Sequence, residues 1–108
     1  MKLDLEKLCK ETNLQYVNEC GFECGIYDGH AVIGVQGVVI NFQTDVRYVS
    51  GYKIYFINVK SITNDESNFE ILKKELNEVI LKYKKKSIEV KKIELKEDFY
   101  EDGYKENV

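Results

Sequence analysis

One dipeptide does most to limit how this chain can fold. Asp28-Gly29 lies between two runs in which apolar and polar residues alternate. Asp-Gly is favoured in the two-residue type I′ hairpin loop, because both central positions there need positive φ. A hairpin with that loop sets Tyr27 opposite His30, Ile26 opposite Ala31, Cys24 opposite Ile33 and Phe22 opposite Val35. Gln36-Gly37 offers a weaker turn of the same kind. It sets Val35 opposite Val38, Ile33 opposite Ile40 and Ala31 opposite Phe42. Both turns leave one face apolar across three strands, and a buried face is what fixes register. The expected core face is therefore Phe22, Cys24, Ile26, Ala31, Ile33, Val35, Val38, Ile40 and Phe42. Its reverse carries Glu23, Tyr27, His30, Val32, Val39, Asn41 and Gln43, a mixture suited to solvent or a partner.

Elements on either side complete the picture. Residues 4–12 read as a short helix with Asp4 as N-cap and Leu5, Leu8, Cys9 and Thr12 on one stripe. Residues 14–20 form a candidate strand, and residues 46–49 and 52–59 suggest two more around Ser50-Gly51. Ser67 and Glu70 have capping-box spacing, and a long helix follows through about Lys86. Its stripe is Phe69, Leu72, Leu76, Val79, Ile80 and Tyr83. Residues 87–95 alternate like a final strand, with a slip between Val90 and Ile93 that reads as a bulge. The fold class expected is α+β. An antiparallel meander sheet carries one long helix on its apolar face, with a short N-terminal helix and a C-terminal strand. Residues 1–95 would form one domain, and residues 96–108 an acidic, aromatic, flexible tail.

Composition narrows the function classes. At 108 residues there is room for one core. No apolar run approaches the ~20 residues that a bilayer needs, and the first residues have no signal-peptide pattern. The 3 cysteines have no disulfide-framework spacing, which points to a reducing, cytoplasmic setting. Lysine-rich, A+T-codon usage fits a low-GC bacterial genome or one of its mobile elements, a phage or plasmid. The net charge of −3 argues against general nucleic-acid binding, although residues 73–93 are strongly basic and the tail is acidic.

No constellation of residues points to a catalytic site. Cys9, Cys20, Cys24 and His30 are zinc-type ligands, but an extended Cys20–Cys24 segment would hold its ends about 13 Å apart. Cys24 and His30 fall on opposite sheet faces in the expected register, so the imidazole cannot reach the thiol. The carboxylates Glu23, Asp28 and Asp45 have no pocket context, and the glycines form no phosphate-binding fingerprint. The expectation is therefore no catalytic residues, no metal and no cofactor.

Binding is the reading that remains. There are 8 tyrosines, more than a core of this size holds, and tyrosine is enriched at interface hot spots. The expected function is a non-enzymatic protein-binding module that regulates or inhibits a larger protein or complex. An anti-CRISPR or similar anti-defence protein is one concrete form. The expected partner surface is Tyr27, His30, Val32, Val39 and Asn41, joined by Phe99, Tyr100 and Tyr104 of the tail. The alternative is weak nucleic-acid binding through the basic segment Lys82–Lys92, with Lys84, Lys85, Lys86, Lys91 and Lys92 on phosphates.

Overall fold

The computed structural model describes residues 1–49 and 53–102, with side chains through Lys92. Its order is α1 (Leu5–Thr12), β1 (Gln15–Glu19), β2 (Phe22–Tyr27), β3 (His30–Gln36), β4 (Val39–Val49), β5 (Lys53–Thr63), a 3-10 turn (Glu66–Asn68) and α2 (Phe69–Asp102). The five strands form one antiparallel sheet in the order β1-β2-β3-β4-β5. The architecture is therefore α+β, a meander sheet with the long helix packed across it.

Local chemistry explains most boundaries. The Asp4 side chain accepts from the Lys7 N–H at 3.1 Å and starts α1. Asn13 ends it in the left-handed conformation, φ 60°. Leu5, Leu8, Cys9 and Thr12 form the buried stripe of α1, as its spacing predicts. Asp28 and Gly29 have φ 49° and 79°, the two positive values of a type I′ loop. Cys20 and Gly21 repeat that geometry between β1 and β2, with φ 53° and 81°. At α2 the expected capping box is replaced. Asp65, not Ser67, caps the preceding 3-10 turn and accepts from the Ser67 N–H at 3.0 Å.

Register departs from expectation at two places. Ile26 pairs with Ala31 as expected, but Gly25 pairs with Ile33 and Cys24 with Gly34. Val32 is the extra residue of a β-bulge. Val32 and Ile33 are consequently both buried, at 1% and 2% exposure. The bulge inverts β2 relative to the rest of the sheet. Gly25 and Tyr27 face the helix, whereas Phe22, Cys24 and Ile26 face away. The second difference is a shift of two residues. Gln36 pairs with Val39, so Gly37-Val38 is the loop and Val38 is exposed. A shift of two preserves the face, and Ile33, Val35, Ile40 and Phe42 stay on the helix side. Ala31, Phe22 and Val38 are exposed, contrary to the expected core face.

Close packing accounts for the inversion. A Cβ built on Gly25 would lie 2.8 Å from both Cys9 Sγ and Ile33 Cγ2. Only a glycine lets α1 approach β2 so closely. The other β2 parity would set the Cys24 or Ile26 side chain beneath α1, where this space does not exist.

The expected C-terminal strand over residues 87–95 is absent. Those residues continue α2. No glycine or proline interrupts residues 67–102. Val90, two turns beyond Tyr83, extends the stripe Leu72, Leu76, Val79, Ile80, Tyr83 and is buried. The interrupted alternation of residues 87–95 was a weaker signal than this heptad spacing. Residues 96–102 also belong to α2, and residues 103–108 lie outside the described residues. The core joins α1, the sheet and α2, with Leu8, Ile40, Leu72 and Leu76 all at 0% exposure. Each such side chain contributes about 1.5–3 kcal/mol through burial.

Candidate functional site

Two surfaces collect the chemistry of this chain, and the hollows at their centres share no lining residue. The first is the face that α2 leaves uncovered. Register places Phe22, Cys24 and Ile26 of β2, Val39, Asn41 and Gln43 of β4, and Tyr55, Ile57 and Val59 of β5 on it. Phe22 is 56% exposed and Val59 59%. Gly34 lies between them and adds no side chain, which leaves a hollow of about 280 Å³. Polar groups ring it. Asn41 Nδ2 donates to Gln36 Oε1 at 3.2 Å, and Ser61 Oγ donates to Asn41 Oδ1 at 2.6 Å. Gln43 also lines the hollow, and its Oε1 is buried with no donor among the described residues. An unmatched acceptor of that kind carries a desolvation cost until a donor reaches it.

The second surface is a cleft where the β2–β3 hairpin tip meets α2 and the start of β5. Tyr83 donates its hydroxyl to Asp28 Oδ2 at 2.6 Å. Beneath this bridge, Tyr83 stacks on Phe56 with centroids 4.9 Å apart and planes at 8°. Tyr27 meets the Tyr83 ring edge-on at 5.5 Å. His30 lies 5.7 Å from Phe56, 5.9 Å from Tyr83 and 6.0 Å from Tyr55. Burial, then the bond to Asp28, pushes the Tyr83 hydroxyl up to about 12. The phenol therefore stays a proton donor and is no base at neutral pH. Two adjoining hollows of about 590 and 500 Å³ share Asp28, Tyr83, Ser87 and Lys91.

These positions correct part of the expected partner surface. Tyr27, His30 and Val32 face the helix, because the β3 bulge inverts β2 and turns Val32 inward. Val39 and Asn41 do lie on the uncovered face. Phe99 and Tyr100 fall in α2 where only the backbone is described, and Tyr104 lies outside the described residues. Sequence reasoning missed Phe22 and Val59. The Gly34 hollow left no signal beyond a glycine inside a strand.

The lysines do not form one flat patch, since Lys91 and Lys92 extend a helix and not a strand. Lys82 lies 3.8 Å from Asp45, and Lys86 3.2 Å from Glu89. Lys84 and Lys91, two turns apart, line the cleft, while Lys85 and Lys92 are displaced around the helix. Cys24 and His30 again occupy opposite faces, each on the face contrary to expectation. Cys9 is buried, and burial pushes its thiol up to about 11, away from nucleophilic chemistry. Among the described residues no three His, Cys, Asp or Glu side chains converge as metal ligands. No helix among them is long and apolar enough to cross a membrane.

The fold and these surfaces define a small α+β meander domain with one helix-covered and one open sheet face. No protein family model, curated protein or solved structure matches the chain.

Proposed function

We propose that this chain is a non-enzymatic protein-binding module that engages a larger protein through the uncovered face of its sheet. It acts in the cytoplasm as a small regulator or inhibitor, and an anti-defence protein of a phage or plasmid is the concrete form this reading takes. One observation carries it. Phe22 and Val59 stand exposed beside a hollow whose wall holds the donorless Gln43 oxygen. Aromatic and aliphatic anchors around a pocket, inside a polar rim, are the usual anatomy of a binding hot spot. A partner that supplies a backbone N–H or a side-chain donor would relieve the unmatched acceptor as it buries the anchors. Free thiols at Cys9, Cys20 and Cys24 suit the reducing setting.

The test compares substitutions on the two sides of the molecule. Gly34→Val fills the hollow, and there is room for it, since the nearest atom to a Cβ there is the Glu23 carbonyl oxygen at 3.9 Å. Val59→Lys and Val39→Glu place charge on the same face. All three should lose partner capture from the source cell while thermal unfolding is nearly unchanged. Leu81→Lys on the outer side of α2 should retain capture. Capture that survives all three open-face changes would sink the reading. A concentration-dependent dimer abolished by the same changes would place a second copy of the chain on the face instead.

A further inference from the structure

We propose that the cleft between the hairpin tip and α2 binds a nucleoside monophosphate, with its phosphate on α2 and its base against Tyr55. This inference is independent of the protein-binding reading, because the cleft shares no lining residue with the open-face hollow.

The phosphate end follows from helix geometry. Lys84, Ser87 and Lys91 are spaced by three and four residues, so they form one ladder on the side of α2 that lines the cleft. The two ammonium groups bracket a hydroxyl over about 10 Å of helix axis. Among the described residues neither Lys84 nor Lys91 has a carboxylate partner, whereas Lys73, Lys82 and Lys86 do. Lys53 adds a third cation from the start of β5. Lysine binds phosphate as a compact point charge, and a serine hydroxyl donates to the same oxygens.

The base end follows from the aromatic wall. Tyr55 is 41% exposed and is held edge-on to His30 at 6.0 Å. Every nucleobase has a π-face that stacks on an exposed ring of this kind. Between the two ends sits Asp28, the single carboxylate of the cleft. Its Oδ2 is occupied by the Tyr83 hydroxyl, while Oδ1 faces no donor among the described residues. A free carboxylate oxygen repels a bare anion but accepts from sugar hydroxyls or a base amine. The arrangement of three cations, one acceptor and an aromatic wall therefore favours a nucleotide over inorganic phosphate. The hollows, about 590 and 500 Å³, fall in the range of small-molecule sites.

Titration with AMP, inorganic phosphate and adenosine, followed by amide NMR and calorimetry, tests the assignment. AMP should bind at least about tenfold more tightly than either fragment, with shifts centred on Asp28, Tyr55, Lys84, Ser87 and Lys91. Lys91→Glu and, separately, Lys84→Ala should weaken AMP about tenfold or more, and Lys74→Glu on the outer helix face should not. Tyr55→Ala should narrow the gap between AMP and phosphate. The affinity must fall as salt rises. Phosphate binding as tightly as AMP, no shifts at millimolar AMP, or equal affinity in the Lys91→Glu and Lys84→Ala variants would overturn the proposal. A single-stranded oligonucleotide that binds more tightly than AMP at these residues would overturn the mononucleotide assignment in favour of a strand. Gly34→Val, Val59→Lys and Val39→Glu should leave AMP binding unchanged, so the failure of either reading is visible without the other.

Discussion

Replacing Gly25 with alanine tests the contact on which the sheet inversion depends. The new Cβ would sit 2.8 Å from Cys9 Sγ, 2.8 Å from Ile33 Cγ2 and 3.1 Å from Leu14 Cδ1. Carbon atoms prefer about 3.5–4.0 Å, so three buried neighbours must yield together. Overpacking of this kind costs about 1–3 kcal/mol. Alanine recovers about 0.5–1 kcal/mol, because it loses less backbone entropy in a strand than glycine does. The net loss should be about 1–2 kcal/mol, a fall in melting temperature of roughly 5–15 °C for a domain of this size. Circular dichroism with heat and with urea would measure it. Gly34→Ala is the internal control. It has no atom closer than 3.9 Å and should be neutral or stabilising. Cys9→Ala removes one of the clashing atoms, so the alanine at position 25 should cost less in that background, with a coupling of about 0.5 kcal/mol or more. If Gly25→Ala melts with the wild type, the α1–β2 approach is not what sets the face of β2.

Three further outcomes are expected. Ser87→Pro should remove helicity by circular dichroism and destabilise the fold by about 3 kcal/mol, because it breaks α2 upstream of buried Val90; unchanged helicity would restore the strand reading of residues 87–95. The raised Tyr83 pKa means that the fold favours the neutral phenol, so its contribution is fully present below about pH 10 and is lost as pH rises through about 12. Tyr83→Phe should remove that alkaline loss and the matching late step in tyrosinate absorbance; a wild-type chain whose tyrosines all ionise together would contradict it. In a thiol-alkylation time course Cys20 should react first and Cys9 only on unfolding, since Cys20 is exposed in a turn and Cys9 is buried with its thiol pushed up to about 11.

The sequence was most legible where a local rule had no competitor. Asp28-Gly29 demanded positive φ twice, and the hairpin formed there with Tyr27 opposite His30. The α1 stripe and the α2 stripe through Tyr83 were equally direct, because a helix repeats its buried face over several turns. Alternation failed where tertiary packing decided. At residues 31–33, Ala-Val-Ile contains no polar marker to say which of Val32 and Ile33 faces inward, and the structure buries both. Residues 87–95 presented the opposite conflict, in which a short run of alternating apolar residues competed with a helix that nothing terminates. Propagation costs little once a helix is nucleated, and Val90 had a place to dock.

The same bulge determines how the binding surface was misread. A one-residue slip moves every side chain of a strand to the other face. It carried Tyr27 and His30 from the expected partner surface into the aromatic cluster against Phe56 and Tyr83. It carried Phe22, Cys24 and Ile26 from the expected core to the uncovered face. Apolar groups placed there gain nothing from the fold itself. Phe22 at 56% exposure contributes little to the core, so its substitution by a polar residue should cost the fold little. Tyr27 now has the structural role, bridging Phe56 and Tyr83, and a charged residue in its place should unfold the hairpin tip. The pair therefore separates core from surface: Tyr27→Glu should lower the melting temperature sharply, and Phe22→Glu should leave it within a few degrees of wild type. A reversed order would mean that β2 keeps the parity its alternation suggests, and both the open-face hollow and the cleft would lose the residues that define them.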